Sequence, residues 1–145
     1  MDSLSILIIN GPNLNMLGKR EPTWYGHLSL EEINNKSLDF VRNKNIEIVF
    51  FQSNIEGEII TQIQKSIDHY HGIIINAGAY SHTSIAIRDA ISSIAIPVIE
   101  VHISNIFNRE SFRHHSSLAP VCVGSIVGFG YLSYILALQY FILSS

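Results

Sequence analysis

The hydrophobic positions of the chain fall into short apolar runs that alternate with amphipathic segments. The runs are rich in β-branched residues and most are continuously apolar, as expected for strands that are covered on both faces. They predict five strands, LSILII (4–9), IEIVFF (46–51), GIIINA (72–77), PVIEVH (97–102) and a short VCVG (121–124).

The segments between these runs repeat their apolar residues at helical spacing. Ser29 and Glu32 have the spacing of a capping box at the start of the first helix. Thr83 is a candidate N-cap for the third. The predicted helices cover 29–44, 56–70, 83–95 and the apolar C-terminal segment.

Strands that alternate with helices favour a parallel sheet, because parallel strands need crossover connections. The sequence therefore predicts an α/β fold, a flavodoxin-like doubly wound five-stranded parallel sheet in a three-layer sandwich with strand order 2-1-3-4-5. No linker or internal repeat interrupts the pattern, so residues 1–145 are expected to form a single domain. Ligands of such folds bind beyond the carboxyl ends of the strands.

Composition excludes several classes of function. The formal net charge of −3 and the lack of a Lys/Arg cluster argue against a nucleic-acid partner. The single cysteine, Cys122, rules out an intramolecular disulfide and a cysteine-based metal site. The paired histidines at 69/71 and 114/115 lack the spacing of a helical zinc site, so no metal is expected.

The C-terminal stretch from Leu118 to Ser145 has no charged residue and is long enough to span a bilayer. Two interpretations stay open: a membrane anchor, or a helix buried between the sheet and a neighbouring subunit. We favour the second, because polar residues interrupt the stretch and no basic flank fixes an orientation. The N-terminus lacks the features of a secretory signal, so we expect a cytoplasmic protein without a membrane partner.

Polar residues gather where three predicted strands end. The first strand is followed by NGPNLN and the third by NAGAYSH, while the fourth ends as EVHISN. The period-2 geometry of a strand puts Glu100, His102 and Ser104 on one face. A carboxylate beside an imidazole orients a histidine that transfers protons. The alternative is that Glu100 merely satisfies a buried His102.

The loop KREPTWYG (19–26) places Arg20 five residues before Tyr25. A guanidinium about 4 Å from a phenolate would favour the anion by up to about 4 kcal/mol at an effective dielectric constant of about 20. Gly18 and Gly26 bracket the loop and Pro22 stiffens it, as expected of a lid. A phenolate base and an imidazole acid together predict proton abstraction followed by loss of a leaving group.

Other catalytic and cofactor motifs are absent. The sequence contains no Walker-type phosphate loop, no dinucleotide fingerprint and no nucleophile elbow. A flavodoxin-like module that binds a flavin or nucleotide is the alternative function. It would need a Ser/Thr/Gly loop after the first strand, where the chain has Asn-Gly-Pro-Asn.

The stretches NGPNLNMLGKREPTWYG, QSNIEGEII, NAGAYSHTSIAIRDA, EVHISNIFNRESFRHHS and GFGYLSYILAL occur in this order over almost the whole chain. Together they resemble the type II 3-dehydroquinate dehydratase family of the shikimate pathway. The resemblance implies reversible loss of water from 3-dehydroquinate to give 3-dehydroshikimate through an enolate, with no cofactor and no Schiff base. It also implies a homododecamer built from trimers.

The resemblance further implies roles for individual residues. Tyr25 would be the base, Arg20 would hold it as phenolate, and Asn13 would place a water or hydrogen bond at the enolate oxygen. His102, oriented by Glu100, would protonate the departing hydroxyl. The implied substrate-binding residues are Asn76, His82, Asp89 and Arg113, with the backbone N–H groups of Ile103 and Ser104 for the substrate carboxylate.

Some of these residues have simpler structural interpretations. Asp89 could form a surface pair with Arg88, although in the family it reaches a neighbouring subunit's site. Arg113 could lie on a solvated surface and His82 could cap a helix. The chain also departs from the family pattern, with Ala77 where a proline is usual, Ile55 where a histidine is usual and Ser133 where a glycine is usual.

Overall fold

The computed structural model describes residues 3–145 and contains a parallel five-stranded sheet. Its order is β2-β1-β3-β4-β5, which confirms the predicted doubly wound, flavodoxin-like arrangement. The strands are β1 (Leu4–Asn10), β2 (Ile46–Gln52), β3 (Gly72–Asn76), β4 (Val98–His102) and β5 (Gly124–Val127).

Helices cover both faces of this sheet, which makes three layers. The helices of the described chain are α1 (Pro22–Tyr25), which is a single turn, α2 (Leu30–Val41), α3 (Glu56–Lys65), α4 (Ile85–Ser92) and α5 (Leu132–Ser144). Side chains of α2 and α5 share one apolar core with Ile6 and Ile8. Those of α3 and α4 share the second core with Leu7 and Ile9. Alternate residues of β1 thus enter opposite cores, which explains why the strand is apolar throughout.

The fifth strand is displaced from its predicted position at 121–124. Residues Ala119–Val121 form a single 3-10 turn with Pro120 inside it. The first hydrogen bond to β4 is donated by the Val123 N–H to the Val98 carbonyl at 2.8 Å, and the paired residues begin at Gly124, opposite Ile99. Proline has no N–H to donate and its fixed φ suits a turn. The apolar residues before Gly124 are therefore a connection, and β5 runs on to Val127.

The helix starts follow local capping chemistry. Ser29 and Glu32 form the predicted capping box, with Ser29 Oγ accepting from the Glu32 N–H at 3.1 Å. The prediction of Thr83 as a cap of α4 was wrong, because Thr83 is the C-cap of the preceding 3-10 turn, Gly78–His82. Ser84 has the extended backbone of an N-cap, and its Oγ accepts from the Ile87 N–H at 2.9 Å.

The uncharged C-terminal stretch ends in α5, which is 13 residues long. One of its faces is buried against the sheet through Tyr134, Leu138 and Phe141, while Leu136 and Leu143 are exposed. Packing against the sheet is confirmed, and contact with a neighbouring subunit stays a prediction. Within residues 3–145, no helix has the length and apolarity needed to cross a membrane.

Candidate active site

One cleft lies at the carboxyl edge of the sheet, where the segments after β1, β3 and β4 meet. The predicted gathering of polar strand ends is therefore confirmed. Nine residues singled out from the sequence line this cleft: Asn13, Arg20, Tyr25, Asn76, His82, His102, Ile103, Ser104 and Arg113.

A close approach of two backbones brings the first two segments together. A Cβ atom on Gly11 would lie 2.5 Å from the carbonyl oxygen of Ala77, so only glycine fits where the chain leaves β1. Ala77 replaces the proline usual in the family, and its φ of −79° lies within the range that proline itself adopts. The backbone after β3 therefore keeps its path without the ring.

Tyr25 ends the one-turn helix α1, and its phenol oxygen is held by two guanidinium groups. Arg20 Nη2 donates to Tyr25 Oη at 3.0 Å, and Arg109 Nη1 donates to it at 2.7 Å. The predicted Arg20–Tyr25 contact is thus present. A guanidinium remains protonated at any working pH, so two permanent positive charges adjoin this oxygen.

Arg109 was not predicted as a site residue. It lies in the loop after β4, its side chain is only 3% exposed, and it also donates to Ser104 Oγ at 3.1 Å. Its Nε has no hydrogen-bond partner among the described residues. In the sequence, Arg109 and Arg113 lie in the same loop, and nothing there marks Arg109 as a site residue. Only its tertiary contact with Tyr25 does so.

Glu100 and His102 form a buried pair on β4, as the strand period predicted. His102 Nε2 lies 3.0 Å from Glu100 Oε2, and Glu100 is 1% exposed. Burial raises the pKa of Glu100, but hydrogen bonds from His102 and two serines, with the charge of His102, lower its pKa overall. An ionised carboxylate only accepts, so Nε2 carries the donated hydrogen and Nδ1 is left for a ligand.

His82 contributes a second imidazole to the cleft. Its ring stacks on that of His102 with the centroids 6.0 Å apart, and its Nδ1 lies 2.8 Å from the His115 carbonyl oxygen. It does not cap α4. Burial is the main cause that lowers the pKa of His82, helped by the charges of His102 and Arg113. A neutral His82 donates from Nδ1 to the carbonyl and leaves Nε2 as an acceptor.

Asn76 is oriented from beneath the cleft by a buried tyrosine. Its Nδ2 donates to Tyr134 Oη at 2.9 Å, and Tyr134 donates in turn to Asn10 Oδ1 at 2.5 Å. The Gly78 N–H donates to Asn76 Oδ1 at 3.2 Å. These bonds leave one N–H of the Asn76 amide free to point at a ligand.

Two of the predicted site residues, Asp89 and Glu100, do not line this cleft, although Glu100 contacts His102, which does. Asp89 is exposed on α4, and the neighbouring Arg88 donates to the Ser117 carbonyl at 3.2 Å. Arg113 does line the cleft and is ion-paired with Glu110, which lowers the pKa of that glutamate. Ser133, a glycine in the usual family pattern, donates to the His102 carbonyl at 3.1 Å.

A tyrosine between two guanidinium groups, opposite a carboxylate–imidazole pair, suits proton transfer on a small anionic molecule. Fold and cleft together define a small α/β enzyme of acid–base type. Nothing in them favours the flavin or nucleotide module. In the part of the chain that the structure describes, no three His, Cys, Asp or Glu side chains cluster as metal ligands would.

Comparison with known proteins gives the particular family. The model of the class II dehydroquinase family matches residues 4–142. The chain is 52% identical over 139 residues to a 3-dehydroquinate dehydratase of Acaryochloris marina, covering 96% of this chain and 93% of the relative. It is 56% identical over 135 residues to one from Sulfurimonas denitrificans, covering 93% and 84%.

A solved structure agrees with these relatives. The crystal structure of type II dehydroquinase from Butyrivibrio crossotus superimposes with a TM-score of 0.94 at 50% identity and covers 99% of both chains. This chain belongs to the class II dehydroquinase family.

Proposed function

We propose that this chain is a hydro-lyase of the shikimate pathway that converts 3-dehydroquinate to 3-dehydroshikimate through an enolate. The observation that carries the proposal is the Tyr25 oxygen, held by two guanidinium groups in the same cleft as a buried Glu100–His102 pair. The family and the printed names of the relatives supply the substrate.

The reaction begins at the phenol oxygen of Tyr25. As phenolate it takes the proton from the carbon alpha to the substrate ketone, and the electron pair of that C–H bond forms the enolate. Arg20 and Arg109 stabilise the phenolate before the transfer, because each donates a charged hydrogen bond to the same oxygen. Two donors fixed in advance need no reorganisation during the step.

The enolate oxygen needs a hydrogen-bond donor, and we assign this role to Asn13. Asn13 lines the cleft and has a left-handed backbone with φ 69°, a conformation that asparagine tolerates better than most residues. Its backbone N–H donates to Asn54 Oδ1 at 3.0 Å, which fixes the turn. The side chain either contacts the enolate directly or holds a water there.

The second proton transfer uses His102. When the enolate collapses, the bond to the departing hydroxyl breaks, and the imidazolium gives that oxygen a proton so that water leaves. Glu100 stabilises the imidazolium from the side away from the cleft. The proton taken by Tyr25 then returns to solvent, and the imidazole regains one, so the cycle balances without a cofactor.

Substrate binding draws on the remaining residues of the cleft. We assign Asn76, His82 and Arg113 to the ring hydroxyls, and the backbone N–H groups of Ile103 and Ser104 to the carboxylate. Asn76 has one free N–H and His82 one free acceptor, which matches hydroxyl groups that donate and accept. An anionic group beside Arg113 gains charge-assisted hydrogen bonds.

The lid opens for the substrate to enter. The cleft has a volume of about 90 Å³, against roughly 300 Å³ or more for typical ligand pockets. Gly18 and Gly26, which bracket the segment with Arg20 and Tyr25, have φ of 87° and 76°. Such positions turn the chain sharply and are suited to hinge motion.

Assembly as a homododecamer, a tetramer of trimers, completes the site in this proposal. Asp89 is exposed on α4 and does not line its own cleft, so it would serve the site of a neighbouring copy. Exposed Phe107, Phe129 and Leu136 give the chain apolar surface that subunits would cover. Native mass spectrometry tests this: we expect twelve times the chain mass of 16.2 kDa, and a monomer would contradict it. We place the enzyme in the cytoplasm, which fractionation would test.

The direct test of function is an assay for the conjugated enone formed from 3-dehydroquinate. We expect turnover without added metal or cofactor, and no inactivation by borohydride in the presence of substrate. Borohydride inactivation would reveal an imine on a lysine and overturn the proposed route. Absence of turnover by a folded, fully assembled protein would overturn the function itself.

A further inference from the structure

The carboxylate of Glu100 has two hydrogen-bond donors besides His102. Ser116 Oγ donates to Glu100 Oε2 at 2.6 Å, the same oxygen that His102 contacts. Ser125 Oγ donates to Oε1 at 2.8 Å. Neither serine lines the cleft, so neither can touch the substrate directly.

We infer that Ser125 and Ser116 are positioning residues for proton transfer by His102. Together they hold the Glu100 carboxylate in the orientation that receives the Nε2 hydrogen, which leaves Nδ1 for the substrate hydroxyl. The inference rests on the proposed function, since it concerns the acid of that reaction.

The position of Ser125 follows from the register of the sheet. Ser125 is paired with Glu100 where β5 runs parallel to β4, so the two side chains lie side by side on the same face. A hydroxyl at this point of the edge strand therefore reaches the carboxylate without any loop contribution. Two positions along β4, His102 lies on that same face.

Ser116 is fixed by its own hydrogen bonds. Its Oγ accepts from the N–H groups of Leu118 at 3.2 Å and Ala119 at 3.0 Å. A hydroxyl oxygen has two lone pairs and one hydrogen. Since both lone pairs are used, the hydrogen of Ser116 is directed at Glu100.

The Glu100 carboxylate and its two serine partners also lie beside an open concavity. On the side of the sheet edge, Glu100, Ser116 and Ser125 adjoin a hollow of about 710 Å³ with apolar walls. Burial of a carboxylate without donors would drive it toward its neutral form. The serine hydrogen bonds oppose this effect and act in the same direction as His102.

Other titratable groups surround the pair, and each comes from a different element. His82 stacks on His102 from the segment after β3, and His114 lines the hollow from the loop after β4. Cys122 precedes β5, and burial together with the charge of Glu100 raises its pKa to about 12. That thiol stays neutral, so it adds no competing negative charge beside Glu100.

The test compares two variants of nearly equal shape, Ser125→Val and Ser125→Thr, of which only the second keeps a hydroxyl. Both are β-branched and suit an edge strand. In the assembled protein labelled with ¹³C at glutamate carboxyls, the Glu100 signal is titrated, and its identity is assigned with Glu100→Gln. For Ser125→Val we expect titration at higher pH by about half a unit to one unit and a kcat about tenfold lower, with little change in KM.

Ser125→Thr should restore both the titration and kcat toward wild type. Ser116→Ala should shift the Glu100 signal in the same direction as Ser125→Val. Ser66→Ala is the matched control. Ser66 is fully buried, and its hydroxyl donates to the carbonyl of Ile63, three residues earlier on α3, and not to Glu100. This variant should lower stability and leave the Glu100 titration unchanged. If the Ser125→Val protein does not fold because valine is too bulky, Ser125→Ala also removes the hydroxyl and can be compared with Ser125→Thr.

A wild-type Glu100 titration and a wild-type kcat in Ser125→Val would overturn the inference, as would a shift that threonine fails to reverse. The proposed function fails separately: it falls if the folded, assembled wild-type protein forms no enone from 3-dehydroquinate, an outcome that says nothing about how Glu100 titrates.

Discussion

The two ends of the cleft are built in different ways. Tyr25 sits on a one-turn helix in a segment bracketed by glycines and depends on arginines from two loops. Glu100 and His102 sit inside the sheet on β4, between β3 and β5, and both are buried. The end assigned to the base can therefore move with the lid, while the end assigned to the acid is fixed by the fold.

The difference shows what fixes the position of each catalytic group. The spacing of Glu100 and His102 is two residues on one strand, so the strand itself sets their contact. The phenol oxygen of Tyr25 acquires its second guanidinium only when α1 meets the loop that carries Arg109. In the proposed mechanism, proton abstraction is therefore coupled to closure of the lid, while the group that donates the second proton is already in place.

The largest effect is expected from Tyr25→Phe, which removes the base and leaves the ring. We expect kcat to fall by about 10³-fold or more, since general base catalysis contributes roughly 10²–10⁴-fold. Binding of the product, measured by calorimetry, should persist. Tyr140→Phe is the control, because this tyrosine is partly exposed on α5. A Tyr25→Phe enzyme within tenfold of wild type would exclude Tyr25 as the base.

The next largest loss of kcat is expected from Arg109→Met, and Arg20→Met should show a loss of similar size. Each removes one charged donor from the Tyr25 oxygen, and loss of such a donor typically costs about 10²–10³-fold in kcat. Steady-state kinetics of both single variants and of the double variant measure this. Since both act on one oxygen, their effects should not add. Fully additive losses would mean that the two arginines serve different steps.

At the buried end, the effect of pH on stability is informative. The pKa of folded Glu100 lies below the ordinary value of 4.5, so its charge stabilises the fold above that pH. This contribution is lost as the pH falls through the pKa of Glu100 in the folded state. It amounts to about 1.4 kcal/mol for each unit by which that pKa lies below the pKa in the unfolded state. The stability gap between wild type and Glu100→Gln, from urea unfolding, should therefore shrink below about pH 4.5.

Glu47→Gln serves as the control for this titration, since Glu47 is exposed on β2. A stability gap that is equally large at pH 3.5 and pH 7 would mean that Glu100 stabilises the fold by packing alone.

The smallest change in turnover is expected from Tyr134→Phe. The variant removes the hydroxyl that joins Asn10 to Asn76, so two buried amides lose a partner. The free energy of unfolding should fall by about 1–3 kcal/mol. In kinetics we expect KM to rise several-fold while kcat changes little, because Asn76 is assigned to binding. A large loss of kcat with an unchanged KM would move Asn76 into the chemical step.

Much of this fold could be predicted from the sequence. The apolar run of β1, the capping box at Ser29 and the alternation of strands and helices depend on local chemistry, and these predictions were confirmed. The predicted start of β5 was wrong, because three apolar residues and a glycine at a sheet edge do not reveal where pairing begins. Thr83 and Ser84 are both good caps, and only the preceding 3-10 turn selects Ser84.

The residues of the site were likewise predicted in part and missed in part. Motif order and the strand period pointed to Tyr25, Arg20, Glu100 and His102, and their contacts are present. Arg109 is 84 residues from Tyr25 along the chain, and no sequence pattern links them. The hydroxyls that contact Glu100 come from elements whose register the sequence left undetermined. Asp89 stays a prediction, because its partner would belong to another copy.

The central claim is that proton abstraction and proton donation belong to different groups, Tyr25 and His102. The direct measurement is solvent exchange at the carbon alpha to the ketone, followed by NMR with 3-dehydroquinate in D₂O. His102→Ala should exchange this proton without forming 3-dehydroshikimate, because Tyr25 can still make the enolate. Tyr25→Phe should show neither exchange nor product, although it binds the substrate. Exchange by Tyr25→Phe at the wild-type rate would contradict the account.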